Sequence, residues 1–121
     1  DAGYLRGHRE VTGTLTIQTE HLSNLDDLVD LRRVGALRII SSPDLTSFSI
    51  QGLESITADL YIDSNATLTN FTMPSLSDIG GDLSITNNDN LCQSIVDEFV
   101  DALEALEWSG DLAIIGNDDS C

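Results

Sequence analysis

An internal repeat constrains this chain more than any other feature. The stretches TGTLTIQ, VGALRII, TADLYID, GGDLSIT and SGDLAII align on Leu15, Leu37, Leu60, Leu83 and Leu112, spaced 22, 23, 23 and 29 residues apart. Two residues before each anchor sits Gly13, Gly35, Ala58, Gly81 or Gly110, and two after sits Ile17, Ile39, Ile62, Ile85 or Ile114. Repeats in this length range are single supersecondary units, too small to bury an apolar side alone. They become stable by stacking on one another.

Within a unit the L-x-I pattern has period two, so the leucine and isoleucine face one side of a short strand. Further apolar residues follow at Leu22, Leu45, Leu68 and Leu91, then at Leu25, Phe48 and Phe71. Leu53 and Leu76 come next, and Ile56 and Ile79 lead into the following unit. Short apolar clusters separated by polar turns describe one coil of a parallel β-solenoid, with strands of successive coils about 4.8 Å apart. The expected fold is therefore mainly β, a solenoid of about five coils. Five residues after the anchors lie Glu20, Ser42, Asn65, Asn88 and Asn117. Asparagine here fits an inward turn, where its amide satisfies backbone groups of adjacent coils.

The pattern changes at SIVDEFVDALEALE. Ile95, Phe99, Ala102, Leu103 and Leu106 form an apolar stripe at helical spacing, with acidic residues away from its centre. One capping α-helix is expected over about 94–107, opened by Ser94 and Asp97 in the manner of a capping box. Asp97 and Glu98 suit the positive helix N-terminus. The two cysteines, Cys92 and Cys121, bracket this helix and the last strand. A disulfide between them stabilises by about 3 kcal/mol on the chain-entropy model and points to an oxidising compartment. The alternative is a pair of free buried thiols.

At 121 residues the chain reads as one domain, with 1–10 a cap or linker segment and 11–121 the repeat region. The net charge of −16 argues against nucleic acid and anionic membranes as partners. No apolar run is long enough for direct membrane insertion. All five basic residues (Arg6, Arg9, Arg32, Arg33, Arg38) lie in 1–38, whereas 39–121 hold 15 acidic and no basic side chains. His8 and His21 have no companion ligands at metal-site spacing, and no nucleophile, P-loop or zinc-protease motif occurs. No catalytic residue, metal or cofactor is expected.

Positions flanking the anchors on the outward face give the candidate binding residues Arg38, Asp59, Tyr61, Asp63, Asp82 and Asp111. Asp59 and Asp82 fall side by side in neighbouring coils, an unfavourable pairing of like charges. Such a face serves solubility, a basic partner, or a cation such as calcium at Asp59, Asp82 and Asp111, although no EF-hand spacing is present. Asn65-Ala-Thr67 and Asn70-Phe-Thr72 are glycosylation sequons. In a eukaryotic source Asn70, beside the inward Phe71, is the better acceptor. Asn65 is expected to point inward, where a glycan does not fit.

The G-x-L-x-I units, the N-x-x-L turns (Asn65 to Leu68, Asn88 to Leu91) and the ending from LCQS through WSGDLAIIGNDDSC resemble the receptor L-domain family. The similarity is expected over about 11–121, with the ending its more specific part. At the start, the N-terminal cap helix and cysteine usual in receptors are missing. The resemblance implies a right-handed β-helix and an extracellular or cell-surface module for adhesion, ligand binding or wall structure. It implies a protein or glycan ligand. The alternative is a structural subunit that self-associates through the solenoid ends into a filament.

Overall fold

A computed structural model describes residues 10–18, 31–106, 108 and 110–118. The chain is mainly β, with nine strands and one helix among these residues: β1 (Glu10–Ile17), β2 (Arg33–Ile40), β3 (Ser47–Ser49), β4 (Ser55–Ile56), β5 (Leu60–Asp63), β6 (Asn70–Thr72), β7 (Asp78–Ile79), β8 (Leu83–Thr86), α1 (Gln93–Glu104) and β9 (Leu112–Ile115). Seven strands form one sheet, in which β2 pairs with β1, β4 and β5, and the run continues through β8 to β9. β3 and β6 form a second, two-stranded sheet. Every strand pair is parallel.

The register follows the repeat. Leu15, Leu37, Leu60, Leu83 and Leu112 are successive partners, as are Ile17, Ile39, Ile62, Ile85 and Ile114. The apolar clusters close the core as expected: Leu45, Leu53, Ile56, Leu68 and Leu91 are fully buried, and Phe48, Phe71, Leu76 and Ile79 nearly so. Leu22 and Leu25 lie outside the described residues. Glycine two residues before an anchor has a steric cause, because a Cβ on Gly35 would lie 2.5 Å from the Gly13 carbonyl oxygen.

The turns after β2, β5, β8 and β9 each pass through a left-handed residue: Ser41, Ser64, Asn87 and Gly116 have φ of 46°, 59°, 56° and 79°. That bend delivers the next side chain inward. Ser42, Asn65 and Asn88 are fully buried. The Ser42 amide donates to Asn65 Oδ1 (3.1 Å), the Asn65 amide to Asn88 Oδ1 (3.1 Å), and the Asn88 amide to Asn117 Oδ1 (3.3 Å). In return Asn65, Asn88 and Asn117 donate through Nδ2 to the carbonyls of Ile39, Ile62 and Ile85 at 2.9, 2.9 and 2.8 Å. No buried side-chain oxygen or nitrogen among the described residues lacks a partner. Glu20, the remaining position of this ladder, lies outside them.

The helix departs from expectation in three ways. It begins at Gln93 with Cys92 as N-cap, and no side chain caps it. Ser94 is already inside the helix, while Asp97 accepts from Gln93 Nε2 (3.0 Å) and is, like Glu98, too late for the first turn. A cap is unnecessary here. Cys92 bridges Asp118, and the Asp118 carbonyl takes the Gln93 amide at 2.7 Å. The buried face is Val96, Val100 and Leu103 flanked by Ile95 and Phe99, while Ala102 and Leu106 are exposed. Finally, α1 packs on β6 of the second sheet and does not bury β9. Phe48 stacks on Phe71 (5.3 Å between centroids), and Phe99 meets Phe71 edge-on at 5.0 Å, extending the aromatic column past β6. β9 is left with Leu112 46% and Ile115 70% exposed.

Candidate binding face

The outward positions of the seven-stranded sheet fall into three rows. The residues just before the anchors give Asp59, Asp82 and Asp111. Those just after give Arg38, Tyr61, Ser84 and Ala113. Those three after give Ile40, Asp63, Thr86 and Ile115. They point outward because their neighbours Leu37, Ile39, Leu60 and Ile62 are completely buried and side chains alternate along a strand.

Five of the six residues expected on this face are linked. The Arg38 guanidinium lies over the Tyr61 ring, 5.8 Å from its centroid, a cation–π contact worth about 0.5–1 kcal/mol at an exposed site. The Tyr61 hydroxyl donates to Asp59 Oδ2 at 3.2 Å. Asp59 Oδ1 accepts the Asp82 amide at 2.7 Å, and Asp82 Oδ1 accepts the Asp111 amide at 3.0 Å. Asp63, in the third row, accepts from the Thr86 hydroxyl in the next strand. The neighbouring aspartates thus meet backbone N–H groups through their carboxylates, which offsets the expected repulsion. Sequence reasoning missed this because nothing in an isolated aspartate marks it as a strand-to-strand acceptor.

The phenol of Tyr61 is held above its ordinary pKa. The hydrogen bond to Asp59 is the main cause, followed by the charge of Asp59, desolvation and the charge of Asp82. The Arg38 charge opposes them. The three aspartates do not converge: no group of three or more His, Cys, Asp or Glu among the described residues is placed to hold a metal. His8 and His21 lie outside those residues.

The face is built from side chains linked strand to strand through Arg38, Tyr61, Asp59, Asp82 and Asp111. The family model for the receptor L domain matches residues 4–99. The chain belongs to the receptor L domain family. This is a family of ligand-binding modules in receptor ectodomains and not an enzyme family, and its members are extracellular. No curated protein and no solved structure matches the chain. The match begins earlier and ends sooner than the motifs suggested. It takes in residues ahead of the first repeat, and it stops inside α1, so the ending WSGDLAIIGNDDSC falls outside it.

That ending still has a structural role. Trp108 donates from Nε1 to the Gly81 carbonyl at 3.2 Å and packs against the core. Its ring occupies the space that a Cβ on Gly110 would need. Cys92 is not a free thiol, while Cys121, its expected partner, lies outside the described residues. Among those residues no helix is long and apolar enough to cross a membrane.

Proposed function

We propose that this receptor L domain is a non-enzymatic extracellular binding module. In this reading its stacked units are the coils of a right-handed β-solenoid, closed by a Cys92–Cys121 disulfide. The observation that carries the function is the Arg38–Tyr61–Asp59 cluster on the outward face of the large sheet. An arginine and a tyrosine fixed against each other lose little side-chain freedom on docking, and these residue types dominate binding energy at protein interfaces. The acidic rows beside them favour a partner with basic groups, and the partner class that best fits a flat face is a protein. A glycan ligand is the weaker fit, since the face offers one aromatic ring.

The reading is tested by immobilising the domain and measuring binding to a panel of extracellular ectodomains, with a glycan array alongside. A protein ligand should be lost at least tenfold in the Arg38→Ala, Tyr61→Ala double variant and retained in Gln51→Ala. Binding indifferent to the double variant would place the site elsewhere. Non-reducing alkylation with mass analysis checks the disulfide, which predicts no modified cysteine. If the source is a eukaryote, Asn70 is the glycan acceptor: it is exposed on β6, while Asn65 is fully buried in the amide ladder. Occupancy of Asn65 alone would overturn that assignment.

A further inference from the structure

We propose that a second copy of this chain docks head to tail, its β1 edge continuing the large sheet beyond β9. The inference rests on features at the two edges that match each other, and it does not depend on what the Arg38–Tyr61–Asp59 cluster binds.

At the β9 edge the ladders stop with their next partner absent among the described residues. Asp59 and Asp82 each accept the amide of the residue before the next anchor. Asp111 occupies the same position in the register, and the corresponding amide in a following strand would come from Thr14. Leu112 continues a column in which Leu37, Leu60 and Leu83 are at most 1% exposed, yet it is 46% exposed.

At the β1 edge the complementary feature is Gly13. Every later glycine at this place makes room for the strand before it: a Cβ on Gly35 strikes the Gly13 carbonyl, one on Gly110 strikes the Gly81 carbonyl, and one on Gly81 strikes Asp59. A Cβ on Gly13 meets nothing within 4 Å. Gly13 lies where β1 shifts register between Val11 and Thr14, and the space beside it is open to an incoming strand, with Thr12, Gly13 and Thr14 exposed. The implied register pairs Leu112 with Leu15 and Ile114 with Ile17, the same step that joins β8 to β9.

Charge favours this orientation. The β9 end carries Asp111 and Asp118 with no basic residue after Arg38, whereas Arg33 and Arg38 lie exposed on β2, next to β1, with Glu10 the acidic residue on β1. A strand edge left open invites pairing, and a contact between unlike ends grows into an open chain unless rotation closes it.

Sedimentation of the oxidised protein from micromolar to millimolar concentration tests the proposal. The weight-average mass should rise with concentration, and more at low salt than at high. Gly13→Val should remain monomeric with an unchanged melting temperature, since the added side chain meets only an incoming strand. Leu112→Arg blocks the other edge, with Leu112→Gln in its place if its melting curve shows misfolding. Mixing the two blocked variants should give dimers and nothing larger, because each supplies one intact edge. A wild-type monomer at millimolar concentration and low salt overturns the proposal, as does Gly13→Val assembling like wild type or a mixture that stays monomeric. Gly13 and Leu112 lie outside the Arg38–Tyr61–Asp59 cluster, so ectodomain binding by the blocked monomers is read separately and the two readings fail separately.

Discussion

Two polar ladders run through this protein, and they differ in direction and in chemistry. In the buried one, Ser42 and Asn65 each donate a backbone amide forward to the asparagine of the next strand. In the exposed one, Asp82 and Asp111 donate backward to the aspartate of the strand before. The buried position needs a side chain that accepts and donates at once, because the carbonyl of Ile39 or Ile62 would otherwise be left without a donor. The asparagine amide does both across neighbouring strands, and at Ser42 a hydroxyl donates more locally, to the Ile40 carbonyl. At the outward position one acceptor suffices, water solvates the remaining lone pairs, and a charged carboxylate is tolerated. Burial, more than hydrogen-bond count, decides which of two similar side chains each row accepts.

That contrast can be broken experimentally. The largest effect is expected for Asn65→Asp, which buries a carboxylate beside Asn88 Oδ1 and removes the donor to Ile39. The cost should reach about 3–5 kcal/mol at neutral pH. Burial raises the folded-state pKa of such a carboxyl, so the variant should recover stability below the ordinary carboxylate range and lose it as pH rises through the raised value. Urea melts at acid and neutral pH measure both. Phe99→Ala should cost about 2 kcal/mol by removing the half-buried end of the aromatic column, read from thermal melts. In the exposed ladder, Asp59→Ala should cost about 1 kcal/mol, and Asp59→Asn less, since an amide oxygen still accepts the Asp82 amide. If Asp59→Asn proves as damaging as Asn65→Asp, the distinction by burial fails.

The smallest effect sharpens the picture of the face. Replacing Asp59 by Asn should lower the Tyr61 pKa toward the ordinary phenol value, because the acceptor's charge holds it up. Tyrosinate absorbance follows this, with Tyr4 as the second tyrosine in the titration. In the parent the Tyr61 contribution is complete below pH 10 and fades as pH rises through the raised pKa.

Most of the sheet was legible in the sequence because its spacing is written in residues that do one thing. Leu and Ile at L-x-I, and asparagine five residues after the anchor, each have a single role that repeats, and the register follows them strand by strand. The helix was legible as a helix but not in its details. Val96 and Val100 are fully or nearly buried, although the stripe built on Ile95, Ala102 and Leu106 left them out. The docking surface of a helix is chosen by what it meets, here Phe71. Its N-terminus is fixed by a bridge to Asp118, a contact across the chain that no local capping motif encodes. The candidate face was legible in membership and illegible in wiring. The exposed end at β9 was masked by an expectation that the helix would cover it.

The identity of register between successive units has a consequence for how such a protein changes length. Residues 60–82 meet the unit before them and the unit after them in the same alignment, Leu60 against Leu37 on one side and Leu83 on the other. A tandem duplication of that segment would place Leu60 against Leu60, Asn65 against Asn65 and Phe71 against Phe71. These inward side chains would find neighbours of a kind they already have, whereas on the outward face Asp63 would newly meet Asp63 and Tyr61 would meet Tyr61. For the core, length is therefore close to a free variable, ended where α1 intrudes with Phe99, and it is the outward rows that a longer chain would have to adjust.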